Sequence, residues 1–282
     1  SYIWIYENRI YMLGNTKETN SLSIFSLNLD GSDRRKEFDI CEYSRGNYLG
    51  LAVAIHRGYI YYAISFLDPN NSSVTLYRKS LYKDQSKSER IFEFSGKGVE
   101  IFRIKGFGSR IFFQCFSPDQ KNEEKIGIYA LKVDGSTIIE SPKLIKPGAI
   151  REYTVVNSSL YYCTDSGVNV NNMETGLEET FYDVGNVPSI SFDGIYFYVD
   201  NRPGLILNQK GFQNRTIEIL DTSGRKIDSI DLKNGIGPCL FGDENFLFSF
   251  CSENPDNPTG EIWLAAFDKG QVGSLTHNWI RF

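Results

Sequence analysis

Apolar residues along this chain fall in short runs of mostly alternating apolar and polar positions, each bounded by Gly, Asn, Asp or Ser. Period-two alternation rich in β-branched and aromatic residues is the pattern of strands. No stretch carries a sustained helical period with caps; Lys79–Arg90 comes nearest, and its polarity reads as a loop between strands. One phrase recurs: a turn residue or two, an aliphatic residue, then aromatics. It stands at Asn8-Arg9-Ile10-Tyr11-Met12, Gly58-Tyr59-Ile60-Tyr61-Tyr62, Ser109-Arg110-Ile111-Phe112-Phe113, Ser159-Leu160-Tyr161-Tyr162, Asp193-Gly194-Ile195-Tyr196-Phe197 and Glu244-Asn245-Phe246-Leu247-Phe248. The anchors at positions 10, 60, 111, 160, 195 and 246 are spaced by about 47 residues on average, the period of a four-stranded propeller blade.

The surroundings of each anchor repeat too. Before it lies a short apolar run, such as Leu49–Ile55, Glu100–Ile104, Tyr153–Val156 or Pro188–Phe192. After it, across a polar loop, comes a third run ending in a turn, as in Leu22–Gly31 and Ile126–Gly135, where Asp-Gly supplies the positive φ of a tight hairpin. A more polar fourth run closes each unit: Arg34–Ile40, Glu89–Phe94, Lys143–Ile145, Glu178–Val184, Lys226–Leu232 and Gln271–Thr276. A lone sheet of this kind leaves both faces uncovered, whereas radial repetition buries them and leaves only short edges. The expected fold is therefore all-β, a six-bladed β-propeller of four-stranded antiparallel blades. It is read as a single domain over 1–282, with blades at about 1–42, 43–95, 96–147, 148–184, 185–233 and 234–282. Two separate β-sandwiches are the alternative, and they do not require six repeats in phase.

The phrase with its loop and Leu-x-x-Asp-Gly-Ser hairpin resembles the bacterial propeller domains related to the YWTD repeats of low-density-lipoprotein receptors. Leu160-Tyr161-Tyr162-Cys163-Thr164-Asp165 is similar to the Leu-Tyr-Trp-Thr-Asp phrase, with an extra residue and no Trp. Leu27–Ser32 and Leu131–Ser136 resemble the hairpin after the third strand. The resemblance spans nearly the whole chain and implies a propeller, usually outside the cytoplasm and frequently with no assigned activity. It brings no catalytic residue.

Composition narrows the function. With 30 Lys and Arg against 35 Asp and Glu, the net charge is −5 in 282 residues, so nucleic acid is not an expected partner. The 41% apolar content excludes a wholly disordered chain, and no apolar run is long enough to cross a membrane as a helix. Five cysteines without a CxxC pair, and only His56 and His277, argue against zinc. Cys115, Cys163 and Cys251 read as buried thiols at the ends of apolar runs. Asp68, Asp119 and Asp256 lack the DxDxDG spacing of a calcium loop. No metal and no cofactor is expected. Asn70, Asn71, Asn157 and Asn214 match the N-x-[ST] acceptor pattern at the frequency chance gives. The chain opens at Ser1 with a strand pattern already under way. The natural start is therefore expected to have been removed, together with any signal or lipid-anchor segment.

GxxxxGK[ST] and Gly-x-Ser-x-Gly do not occur, and Ser191-Phe192-Asp193-Gly194 fails the spacing of a sialidase box. Paired carboxylates for glycoside cleavage have Glu42, Glu100, Glu152, Asp165 and Glu253 as candidates. The long loops between second and third strands elaborate one face, the loop at Asp200–Arg215 being the most unusual, and function sits on such loops. The first strands bring Arg103, Lys105 and Glu152 toward the channel; Arg45, Tyr48, Arg151 and Arg202 lie at its expected mouth. Arg offers planar paired donors, and Tyr a flat apolar face with a polar tip. The expected function is a non-catalytic binding module of a bacterial surface or secreted protein, a monomer that takes a protein, peptide or glycan ligand. A carbohydrate-active enzyme and a structural spacer in a larger chain are the alternatives.

Overall fold

The computed structural model describes residues 3–16, 21–42, 48–66, 73–82, 87–95, 99–116, 125–134, 137–185, 189–192, 194–201, 213–242, 246–252, 262–268 and 277–281, with only the backbone course beyond Ser229. The chain divides into two compact units, residues 2–149 and residues 150–282. All sheets are antiparallel and built in chain order.

In the first unit, β1 (Ile3–Tyr6), β2 (Arg9–Thr16), β3 (Ser21–Asn28) and β4 (Arg35–Glu42) form one sheet. The strands β5 (Tyr48–His56), β6 (Tyr59–Phe66), β7 (Ser73–Ser80) and β8 (Glu89–Ser95) form the next. The third comprises β9 (Glu100–Phe107), β10 (Arg110–Phe116), β11 (Gly127–Asp134) and β13 (Lys143–Pro147), with the two-residue β12 (Thr137–Ile138) beside β11. Two-residue turns join first to second strands. Glu7-Asn8 and Arg57-Gly58 both have positive φ throughout, which matches the right-handed twist of the flanking strands. The third-to-fourth turn at Asn28–Ser32 closes through Gly31 N–H donating to the Asn28 carbonyl at 2.9 Å, with Gly31 at φ 83°.

Successive residues of the recurring phrase point to opposite faces of their sheet, and in this unit both faces are buried. Ile60 and Tyr62 join Tyr11, Leu22 and Ile24 of the first sheet, while Tyr61 and Ala63 join Ile101, Ile111 and Phe113 of the third. Tyr61 and Tyr62 are thus buried on opposite sides of one strand. Full burial of each such side chain is worth about 1.5–3 kcal/mol. The Tyr62 hydroxyl still finds a partner, donating to Ser88 Oγ at 2.6 Å just before β8, and its ring stacks on Tyr77 at 5.3 Å.

In the second unit, β14 (Tyr153–Val156), β15 (Ser159–Thr164), β16 (Gly167–Asn172) and β17 (Glu178–Tyr182) form the fourth sheet. Tyr162 repeats the role of Tyr62, its hydroxyl donating to Glu178 at the start of β17. The last sheet has seven strands: β18 (Ser189–Phe192), β19 (Phe197–Asn201), β20 (Gln213–Leu220), β21 (Lys226–Gly242), β22 (Phe246–Ser252), β23 (Ile262–Asp268) and β24 (His277–Arg281). Ile190, Phe197 and Val199 pack with Cys163 and Val168 of the fourth sheet.

Among the described residues there are five sheets, which corrects the expectation of six blades to five. Strand β21 runs unbroken for 17 residues, pairing with β20 through its first half and with β22 through its second. The fourth strand of the fifth repeat and the first strand of the sixth are therefore one strand, and two repeats share one sheet. No turn separates them: Asn234-Gly235-Ile236-Gly237 stays extended, and the change of partner is absorbed by a register shift between Gly235 and Leu240. The fifth copy of the phrase is displaced as well. Ile195 lies two residues before β19 and is 60% exposed, and the buried triplet is Phe197-Tyr198-Val199. The expected fourth run Gln271–Thr276 lies outside the described residues.

Inside the first unit a clasp ties the second sheet to the third. His56 Nε2 lies 2.9 Å from the Gly108 carbonyl, and its ring covers Gly106 so closely that a Cβ there would sit 2.1 Å from His56 Cγ. Gly106→Ala is expected to cost about 1–3 kcal/mol of stability by overpacking, measured by urea denaturation; an unchanged midpoint would refute the contact. Burial lowers the pKa of His56 below its ordinary value of 6.5; the carbonyl contact opposes this, and Arg57 adds to it. The unfolded chain therefore binds the proton before the folded one does. Stability contributed at this site is complete above about pH 6.5 and declines as pH falls through that value. His56→Gln should flatten the decline between pH 7.5 and 5; parallel curves for variant and wild type would show that His56 does not titrate this way.

Candidate functional site

The third sheet assembles a polar group on one of its faces. Along β9 and β10, Glu100 is paired with Phe116, Phe102 with Gln114 and Lys105 with Phe112, so these side chains share a face. Between Phe112 and Gln114 the register shifts, placing Arg103 and Ile104 opposite Phe113 alone. This bulge holds Arg103 at φ 46°, a left-handed conformation that β-sheet arginines rarely adopt. The bulge turns Arg103 onto the face of Gln114, where its Nη1 donates to Gln114 Oε1 at 3.0 Å and its guanidinium lies 5.8 Å from the centre of the Phe102 ring. Gln114 is buried, and Phe102 meets Phe116 edge to face at 5.9 Å. Meanwhile Ile101, Ile104, Phe113 and Cys115 turn to the opposite face and enter the core shared with the second sheet.

Glu100 opens β9 and is 92% buried, since only 8% of it is exposed. Burial alone raises its pKa, and among the described residues no hydrogen-bond donor or cation lies against it.

The other expected site residues divide as follows. Arg103 and Lys105 belong to the first unit and share the β9 face. Arg151 and Glu152 belong to the second, where Arg151 forms an ion pair with Asp165 and donates its backbone N–H to the Cys163 carbonyl at 3.2 Å. Glu152 Oε1 accepts the Tyr153 N–H at 3.0 Å, and the Glu152 carbonyl accepts from Cys163 N–H at 2.8 Å. Two of the carboxylates considered for glycoside cleavage, Glu152 and Asp165, are thus engaged in local structure. Tyr48 begins β5 opposite Phe66 and is described by its backbone only, as is Glu42 at the end of β4. Arg45, Arg202, Glu253 and the aspartates at 68, 119 and 256 lie outside the described residues. Among the described residues no group of three or more His, Cys, Asp or Glu side chains is gathered for a metal. Cys115 and Cys163 are free and buried, and burial pushes the Cys115 thiol well up.

Sequence reading missed Gln114 and the two phenylalanines beside it. The period-two spacing of Gln114 and Phe116 from Phe112 carried the signal for the face, but nothing signalled the bulge, because such positions usually hold Gly. It also missed a second group at the fifth sheet. There the Tyr182 hydroxyl donates to Glu218 at 2.9 Å, Lys226 Nζ donates to the other Glu218 oxygen at 2.8 Å, and burial with the adjacent carboxylate pushes Tyr182 up to about 12.

No family model matches the sequence, and no curated protein matches it. Among solved structures the chain is similar to TolB from Acinetobacter baumannii, with 14% identity and a TM-score of 0.65 over 97% of this chain and 64% of that one. It is similar to a prolyl endopeptidase at 13% identity and TM-score 0.60, over 96% of this chain and 39% of the enzyme. The WD40 domain of Toxoplasma gondii coronin follows at 10% identity and TM-score 0.53, over 98% and 68%. At these identities the likeness concerns the fold alone. It is an all-β propeller built on four-stranded antiparallel blades, with five sheets among the described residues, the last of seven strands. The chain spans less than two thirds of the length of the first two proteins.

The strain at Arg103 is measurable. Arg103→Ala should destabilise by about 1–2 kcal/mol through the lost charged hydrogen bond. Arg103→Gly should cost about 1 kcal/mol less than that, because glycine adopts positive φ freely. Equal losses in the two variants would show that the bulge carries no strain.

Proposed function

We propose that this chain is a non-catalytic binding module, a propeller that presents the partly exposed Arg103 and Lys105 of its third sheet to a protein, peptide or glycan ligand. The observation that carries this reading is the bulge at Arg103. A backbone distortion that costs about 1–3 kcal/mol places a guanidinium against Gln114 and the Phe102 ring, on the face that Lys105 shares, and such strain collects where a fold positions functional groups. Guanidinium, amide and aromatic edge together suit carbonyl or carboxylate acceptors carried on an otherwise mixed ligand. Outside the cytoplasm, as a monomer within a bacterial surface or secreted protein, is the setting we propose for it, in line with the resemblance of its repeats.

The test is the purified chain on paired glycan and peptide arrays, read both for capture and for released product. Capture without product release is expected, weakened at least tenfold in the Arg103→Ala, Lys105→Ala double variant once its thermal unfolding shows that it folds. Product release from captured glycans, or capture indifferent to both substitutions, would overturn the reading.

A further inference from the structure

We propose that Tyr6 and Tyr82 form an oxidative cross-linking site, a pair that a one-electron phenol oxidant, a haem peroxidase with hydrogen peroxide, joins into dityrosine. The pair sits at the tight-turn end of the first and second sheets, and its chemistry is independent of any ligand. First, the two hydroxyls meet across the sheets, with Tyr6 Oη 3.3 Å from Tyr82 Oη. Dityrosine joins the ring carbons beside the hydroxyls, so its two oxygens stand side by side. Phenols whose hydroxyls already touch need little movement to reach that arrangement. Second, both residues are held by their backbones. Tyr6 ends β1 and pairs with Arg9 across a two-residue turn. Tyr82 follows β7, where Leu81 N–H donates to the Gly58 carbonyl at 2.9 Å and Tyr82 N–H donates to Ser80 Oγ at 3.3 Å. The Tyr82 ring covers Gly58, where any Cβ would collide with it. Third, a proton acceptor is in place, because the Tyr82 hydroxyl donates to Glu7 Oε1 at 2.6 Å. That leaves the Tyr6 hydroxyl as the donor between the two phenols. A phenol gives up its proton as it loses an electron, and a carboxylate at hydrogen-bond distance can take it. Fourth, the pair is open to an oxidant: Tyr82 is 64% exposed and Tyr6 is partly exposed. The stacked rings of Tyr62 and Tyr77 differ here, since Tyr62 is buried. In the reaction each phenol loses one electron and one proton, and the two phenoxyl radicals couple through the ring carbons beside their oxygens. Each of those carbons then releases its hydrogen as a proton while a proton returns to each oxygen. One hydrogen peroxide takes up the two electrons and two protons and leaves as two waters. The new bond ties the first sheet to the second through residues 76 apart in the chain.

The test treats the dilute, folded chain with a haem peroxidase and hydrogen peroxide, then digests it and maps joined peptides by mass spectrometry. The expected product is a monomer two hydrogen atoms lighter, with the blue fluorescence of dityrosine and one dominant joined pair carrying Tyr6 and Tyr82. It should melt several degrees above the untreated chain, because the bond closes a long loop of the unfolded state. The same treatment in urea should scatter links among the 17 tyrosines. Tyr6→Phe and Tyr82→Phe should each remove the dominant pair. Glu7→Gln keeps an oxygen for the Tyr82 hydroxyl but loses the base, so the link should form at least tenfold more slowly, with Glu7→Asp in between. Absence of the Tyr6–Tyr82 pair from folded wild type, dominance of another pair, or an equal yield of it in urea overturns the site. A Glu7→Gln rate equal to wild type overturns the assignment of Glu7 as proton acceptor.

Discussion

Burial of the second strand on both faces is the constraint on which the first unit depends. In β6 the side chains alternate between two cores, Ile60 and Tyr62 on one side and Tyr61 and Ala63 on the other. An antiparallel sheet normally leaves one face to water, and its sequence alternates accordingly. Here the alternation fails just at the phrase that repeats, since consecutive residues there are all apolar or aromatic. That local failure requires the second sheet to have a neighbour on either side, and no single sheet of this composition would hold its central strand dry alone.

Large aromatics under this constraint bring polar tips into a dry interior, and each must find a partner. The solution recurs between sheets: Tyr62 reaches Ser88, and Tyr162 reaches Glu178, in both cases at the beginning of the fourth strand. The phenolic hydroxyl thus links the second strand to the outer one by passing beneath the third. Where the third sheet has Phe113 at the same place, that link is absent and the ring instead stacks on Tyr129 at 5.5 Å. The more polar fourth strand, which in sequence looked like a simple solvent-facing edge, is also the anchor for these hydroxyls.

Functional capacity arises where the same rules are broken. The β9 strand could have continued its alternation through Arg103, which would have sent that side chain toward the core shared with the second sheet. One extra residue in the strand turns the guanidinium to the other face and carries it next to Gln114, and Glu100 stays buried at the strand's beginning without a described counter-charge. A strand distorted by a left-handed arginine is unfavourable for stability.

The sequence by itself determined the strands, their antiparallel order and the tight turns. Period-two runs, Asp-Gly and Arg-Gly turns and the repeated aromatic phrase are local, and local chemistry sets them. It also marked Arg103, Lys105 and Glu100 as charges on a first strand. The number of blades was decided by tertiary structure, because it depends on which partner a strand chooses. Lys226–Gly242 stays extended across a glycine-rich stretch and pairs on both edges, and no residue in it states that choice. The face on which Arg103 lies was decided in the same way. A bulge moves a side chain across the sheet by adding one residue to one strand, and it is defined only by register against the partner, which a single strand's sequence does not contain.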